Sequence, residues 1–370
     1  MRALLPLALL ALPVVAAPAS AQDIACAVPS VVQGPAETPP ELAELRRFAT
    51  GAGVRVAVID TGVAPHPELR HLRPGADYVA DDALFDCDSH GTVVAGIIAG
   101  NTLGIAPGAE IISVRQTSAH YRGAEGESVA GDLATLTDAI NNALDEGAHV
   151  LNLSVVSCVE PALAERIDTR GLNAALTRAE RDGAVVVAAA GNTGADCEPG
   201  FTVIPANATT VLAVGAREDA HTIAGYSMAA DLSAPGHVPY ALASAGGGWA
   251  DGTLTRDGTR PYAGTSFAAP VVSASAALLL QRYPGITPAR VRELIYAAAE
   301  HGGGAIDPAD VVSQLHPGEP TPRATLTIAP QSNEASHTAA RFGTVALGVI
   351  ALAALCAVAV STSPSARRRG

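Results

Sequence analysis

From Val54 onward, short runs of β-branched and other apolar residues alternate with longer stretches in which apolar positions recur every three or four residues. "VRVAVI" (54–59), "EIISVRQ" (110–116), "HVLNLSVV" (149–156), "VVVAAAG" (185–191) and "TVLAVGA" (210–216) read as strands. Such runs are too continuously apolar for a sheet with one wet face, so both faces are predicted to be covered. Between them, "HGTVVAGIIAG" (90–100), "AGDLATLTDAINNALDEGA" (130–148) and "GLNAALTRAERDGA" (171–184) read as helices, the second ending near Gly147. Strands alternating with helices predict an α/β fold around a parallel sheet. No internal repeat is present.

The last long helix starts near Thr265 and runs through "SFAAPVVSASAALLLQRY", with Pro270 accommodated in its first turn. Ser273 and Ser275 interrupt its apolar stretch, which is short for a bilayer, so it reads as a buried core helix. "ITPARVRELIYAAAE" (286–300) is a final amphipathic helix opened by Thr287-Pro288.

Two further apolar segments lie outside this pattern. Residues 1–21 combine Arg2, the apolar stretch Leu4 to Ala17 and the small-x-small sequence Ala19-Ser20-Ala21, the pattern of a secretory signal peptide cleaved before Gln22. Phe342 to Val360 are 19 uncharged residues, close to the ~20 that cross a bilayer as a helix. Arg367, Arg368 and Arg369 follow, which by the positive-inside rule puts the tail in the cytoplasm and the body outside. Pro317 to His337 is rich in proline and small polar residues and reads as an extended linker. The expected organisation is therefore a signal peptide (1–21), an N-terminal extension (22–53), a folded body (54–315), a Pro-rich linker (316–341), a transmembrane helix (342–360) and a cytoplasmic tail (361–370).

Charge narrows the partners. The net charge is -13, with 23 basic residues, all arginine, and 36 acidic ones. The first 21 and last 29 residues hold four Arg and no acid, so residues 22–341 carry 19 basic against 36 acidic residues, a balance of -17. Such a surface repels phosphates and excludes a nucleic-acid role. Of the five cysteines, Cys356 falls in the predicted span. Cys26, Cys87, Cys158 and Cys197 are exported to a compartment where disulfides persist, and spacing leaves all three pairings open. No cluster of His or Cys has metal-ligand spacing, so neither a metal nor a cofactor is expected.

"VIDTG" places Asp60 at a strand end. An aspartic protease needs two such loops whose carboxylates share a proton, and the chain has one. Three other stretches supply what a serine nucleophile needs: "DSHGT" with His90, "AAAGN" with Asn192 and "GTSFAAP" with Ser266 at a helix start. A hydroxyl attacks only when an imidazole takes its proton, and the imidazole needs a carboxylate to orient it. Asn192 and the Ser266 N–H are candidate donors to an oxyanion, and Gly91 and Gly264 permit close backbone approach.

In this order, these four motifs resemble the subtilisin-like serine proteases over about Val54 to Gly302. The resemblance implies a three-layer fold with a seven-stranded parallel sheet, Asp60, His90 and Ser266 gathered at its carboxyl end, and a protein or peptide substrate. It places substrate backbone along "NLSVV", with Ser154 as the best contact and Gly191 in the pocket wall. Val155, Val156 and Ser157 replace the glycines usual there. Apart from the resemblance, the acidic loop "RGAEGES" (122–128) reads as a solvated loop, with contact to basic substrates as the alternative. "GVAPHPEL", "DCDSHGT", the signal peptide, the linker and the span further resemble the mycosins, membrane-anchored subtilases associated with type VII secretion. That resemblance implies disulfides Cys26–Cys87 and Cys158–Cys197 and a secretion membrane complex as partner. The short extension before Val54 is expected to wrap the body rather than act as a removable propeptide. Two functions stand: an outward-facing membrane-anchored endopeptidase, or mainly a structural component of the complex.

Overall fold

The computed structural model describes residues 25–121, 131–194, 197–301, 303–315 and 346–355. The chain divides into two units, residues 1–317 and 318–370. The first unit opens with β1 (Pro29–Val32), α1 (Pro40–Leu45), β2 (Arg55–Asp60), β3 (Leu72–Asp77), α2 (Gly91–Ala99), β4 (Glu110–Arg115) and α3 (Leu133–Asp145). It continues with β5 (Val150–Leu153), β6 (Ser157–Val159), α4 (Pro161–Ala164), α5 (Arg170–Asp182), β7 (Val185–Ala189), β8 (Thr202–Ile204) and β9 (Val211–Arg217). β10 (Leu232–Pro235), β11 (His237–Val238), β12 (Ala241–Leu242), β13 (Trp249–Thr255), β14 (Gly258–Ala263), α6 (Thr265–Arg282), α7 (Pro288–Ala298) and α8 (Pro308–Ser313) complete it.

Seven strands form one parallel sheet in the order β10-β9-β7-β5-β2-β4-β3. Alternation along each strand sorts side chains to opposite faces. Val56, Val58, Val150, Val185 and Val187 join the core beneath α2, α6 and α7, whereas Ala57, Ile59, Leu151, Leu153 and Val186 join the one beneath α3 and α5. This is the three-layer arrangement that the doubly apolar strands predict. Asp132 caps α3 by accepting from the Thr135 N–H at 2.7 Å, and Gly183, at φ +84°, closes α5 in the left-handed conformation.

Three elements differ from the sequence reading. The strand read as 149–156 ends at Leu153, and Ser154 to Val156 leave the sheet. β3 contains Pro74 and Gly75, which disguise it as a loop; a proline is tolerated there because β3 is an edge strand. Pro270 is the sixth residue of α6, beyond its first turn, so its missing N–H removes a helical hydrogen bond.

The segment before Val54 lies along the body. β1 pairs antiparallel with β13, the Ala27 N–H donates to Cys87 O at 2.8 Å, and Cys26 is disulfide-bonded to Cys87. The Arg46 guanidinium donates to the carbonyls of Asn101, Thr102 and Gly104, and the N–H groups of Thr50 and Gly51 both donate to Gln281 Oε1 at 2.7 Å. The second disulfide joins Cys158 on β6 to Cys197 in the loop before β8.

In the second unit, residues 346–355 are helical and exposed. Among the described residues no helix is long and apolar enough to cross a membrane. The segments 1–21, 122–128 and 361–370, and Cys356, lie outside the described residues.

Candidate active site

The carboxyl ends of β2, β5 and β7 and the amino ends of α2 and α6 meet at a cleft of about 790 Å³ lined by His90, Ser154, Val155, Val156, Gly191, Asn192 and Ser266, among others. Open parallel sheets place ligands at this edge because the strands deliver several loops there at once.

Asp60 is the last residue of β2 and fully buried. Its Oδ1 accepts from His90 Nδ1 at 2.7 Å and from the Thr61 N–H at 2.7 Å. His90 immediately precedes α2 and keeps a quarter of its side chain exposed on the cleft side. Its ring packs 5.0 Å from that of Phe267, which Tyr262 meets edge-on at 5.9 Å. Ser89, at φ +59°, holds the turn before it through a 3.0 Å hydrogen bond between Ser89 Oγ and the Tyr262 hydroxyl.

Burial is the largest influence on the His90 imidazole and opposes its charge. The Asp60 charge and hydrogen bond, reinforced by Asp86 and Asp88, outweigh it, and the His90 pKa is raised. Asp86 is the buried carboxylate that sequence reasoning missed. Its Oδ1 accepts from Thr61 Oγ1 at 2.9 Å, and its Oδ2 from the Thr92 N–H at 2.9 Å and Thr92 Oγ1 at 2.6 Å. Desolvation pushes its pKa up to about 6 against the pull of those donors. Thr61 Oγ1 in turn accepts from the Gly91 N–H at 3.0 Å, so Asp86 braces both the Asp60 loop and the start of α2. The only sequence signal for it was an acidic residue four before His90.

Ser266 is the second residue of α6, so its own N–H has no acceptor within the helix. Ser266 and His90 face the same cleft and are not hydrogen-bonded to each other among the described residues. Such bonds commonly tighten only around bound substrate. Asn192 follows β7, and its Oδ1 accepts from the Thr265 N–H at 2.9 Å, while its Nδ2 has no hydrogen-bond acceptor among the described residues. A Cβ on Gly264 would stand 3.2 Å from that Nδ2, so glycine keeps the donor unobstructed. Gly191, at φ +94°, donates its N–H to Thr265 Oγ1 at 3.2 Å. Ser154 lines the cleft, nearly buried, with Oγ donating to the Ser266 carbonyl at 3.0 Å. Val155 and Val156 line the same cleft.

The fold and this cleft define a subtilisin-like hydrolase: residues 51–339 match the subtilase family of peptidases, and the chain belongs to that family. Within it, the chain is 38% identical to Mycosin-4 of Mycobacterium tuberculosis over 88% of this chain and 82% of that protein. It is 37% identical to Mycosin-1 of the same organism over 77% and 74% respectively. Among solved structures, MycP1 from the ESX-1 type VII secretion system matches with a TM-score of 0.73 and 33% identity, covering 81% of this chain and 92% of that one. A chain of an intact ESX-5 inner membrane complex matches with a TM-score of 0.72 and 29% identity, over 92% and 94%.

Proposed function

We propose that this chain is a membrane-anchored serine endopeptidase in which Ser266 is the nucleophile, His90 the general base and acid, and Asp60 the group that orients and charges His90. The observation that carries the reading is the 2.7 Å bond from His90 Nδ1 to a fully buried Asp60, in one cleft with Ser266 at a helix start. With Nδ1 occupied, Nε2 is the nitrogen left to take a proton. Ser266 Oγ attacks the scissile carbonyl carbon as its proton passes to His90 Nε2, and the carbonyl π pair moves onto oxygen. Asn192 Nδ2 and the Ser266 N–H receive that oxyanion. The C–N bond then breaks, His90 returns the proton to the departing amine, and water repeats the sequence on the acyl-enzyme.

The substrate is an extended peptide pairing with backbone at the end of β5, over Ser154 and against Gly191. Val155 and Val156 narrow that track, which favours small apolar side chains over open acceptance. No metal or cofactor takes part in these steps.

The remaining parts of the reading follow the chain's ends. Residues 1–21 direct export, 22–53 stay attached to the peptidase domain at 54–315, 316–341 form a linker, 342–360 cross the membrane and 361–370 remain in the cytoplasm. The likeness to mycosins and to a chain of an ESX-5 inner membrane complex supports a place beside a type VII secretion complex. Fluorophosphonate labelling of the full-length chain in washed membranes tests both halves. A labelled band that stays in the pellet through an alkaline carbonate wash is the expected result; a labelled band in the supernatant removes the anchor, and an unlabelled folded chain removes the catalytic reading.

Asn192 permits a sharper check. Asn192→Ala should lower kcat by about 10²–10³-fold with little change in KM, because an oxyanion donor acts only when the charge develops. A loss confined to KM would reassign Asn192 to substrate binding.

A further inference from the structure

The carbonyl of Ser266 should accept from the N–H four residues on, but that residue is Pro270, which has none. The backbone carrying the nucleophile thus begins its helix with an orphaned acceptor. Ser154 Oγ, on the residue just after β5, fills the vacancy at 3.0 Å. The chain of donors does not stop there. Asn152 Nδ2 donates to Ser154 Oγ at 2.7 Å, and Ser273 Oγ donates to Asn152 Oδ1 at 2.8 Å. Asn152 and Ser273 are fully buried and Ser154 nearly so. Ser273 lies on α6 two turns beyond Ser266, so the path leaves the helix, crosses the central strand and returns to the helix at the nucleophile.

Its polarity is fixed from the far end. Serines in helices commonly return their proton to the carbonyl four residues back, and Ser275, two residues on, does this with Val271 O at 2.8 Å. Ser273 instead spends its single proton on the Asn152 amide oxygen. That contact decides which way the amide faces, turns its NH₂ toward Ser154, and leaves the Ser154 proton no better acceptor than Ser266 O. Buried polar groups cost stability unless satisfied, and an apolar set of the same shape would pack as well. The selective return for this polar chain is orientation.

We infer that Asn152 and Ser273 are positioning residues for the nucleophile, acting through Ser154 on the Ser266 carbonyl that Pro270 leaves without a donor. Removing the Ser273 hydroxyl frees the amide to turn its oxygen toward Ser154, which then takes the Ser154 proton away from Ser266 O. The inference rests on Ser266 being the nucleophile.

The test is a double-mutant cycle on the full-length chain, reading the second-order rate of acylation by a fluorophosphonate probe beside the thermal midpoint. Ser273→Ala should slow acylation about tenfold, the rate equivalent of one hydrogen bond. Ser154→Ala should slow it to a similar degree, and the double variant should be no slower than Ser154→Ala alone. Ser275→Ala deletes the same atom from the same buried helix outside the chain and should leave the rate unchanged whatever it does to the midpoint. Multiplying rather than overlapping effects at 273 and 154, or equal slowing by Ser275→Ala, would overturn the inference, as would an unchanged rate in Ser273→Ala. Ser266→Ala run alongside separates the two levels: labelling that persists there removes the catalytic reading itself.

Discussion

If Ser266 is the nucleophile proposed above, Ser266→Ala should lower peptidase kcat by about 10⁶-fold and leave a residual rate roughly 10³–10⁴ above that in water, because binding and the proposed oxyanion donors survive its loss. The substitution is structurally mild here. The bond that anchors this turn goes from Ser154 to the backbone carbonyl of Ser266, not to its hydroxyl, and is kept in alanine. The side chain is half-buried and its hydroxyl has no hydrogen bond among the described residues, so its loss leaves no buried partner unsatisfied. A calorimetric midpoint within a few degrees of wild type, together with abolished fluorophosphonate labelling, is therefore the expected pair of results. A variant that still hydrolyses peptide at a tenth of the wild-type rate would show that another group is the nucleophile. The same variant separates two roles in the cell: secretion that survives Ser266→Ala but fails on deletion of the chain would make the body a structural component, with proteolysis a separate activity.

The parts of this site that were legible in the sequence are those whose proposed job admits one residue type. A carboxylate at a strand end, an imidazole before a helix and a hydroxyl in the first turn of a helix each sit in a short recognisable run, because local backbone geometry is part of the job. The parallel sheet was legible for a related reason: strands covered on both faces cannot hide their apolar character. What stayed hidden depends on contacts between distant positions. Asp86 braces Thr61 and Thr92, 25 and 6 residues away, and nothing in "DCDSHGT" distinguishes its role from that of Asp88. Ser273 in the sequence is a polar interruption in an apolar helix. Its meaning appears only once Asn152 is brought beside it from 121 residues away. β3 failed for the opposite reason, since Pro74 and Gly75 suppress its local signal and edge position alone makes them tolerable.

Asp60→Asn distinguishes charge from geometry, and the arrangement around Asp60 determines which is lost. One oxygen, Oδ1, accepts from both the Thr61 N–H and His90 Nδ1. An amide that turned its NH₂ to this position would face two donors, so asparagine keeps its oxygen there and still holds the Nδ1–H tautomer. What disappears is the negative charge that stabilises the imidazolium as Ser266 gives up its proton. The expected fall in kcat is between roughly 10³ and 10⁴, short of the full effect of a reversed tautomer. The pH dependence gives the signature. With Asp60 in place the His90 pKa is raised, so the acid limb of kcat/KM lies above pH 6.5, the ordinary value for histidine. Removing the charge lets burial dominate, and the limb moves to lower pH while the plateau falls. Stability follows the same linkage. A histidine whose folded pKa is raised contributes stability fully present below pH 6.5 and lost as pH rises through the folded value. The wild type should therefore exceed Asp60→Asn in stability most at pH 6 and by progressively less as the pH is raised through that window. An acid limb left unmoved would instead mean that the Asp60 charge is not what raises the His90 pKa, and that orientation rather than charge is what Asp60 supplies.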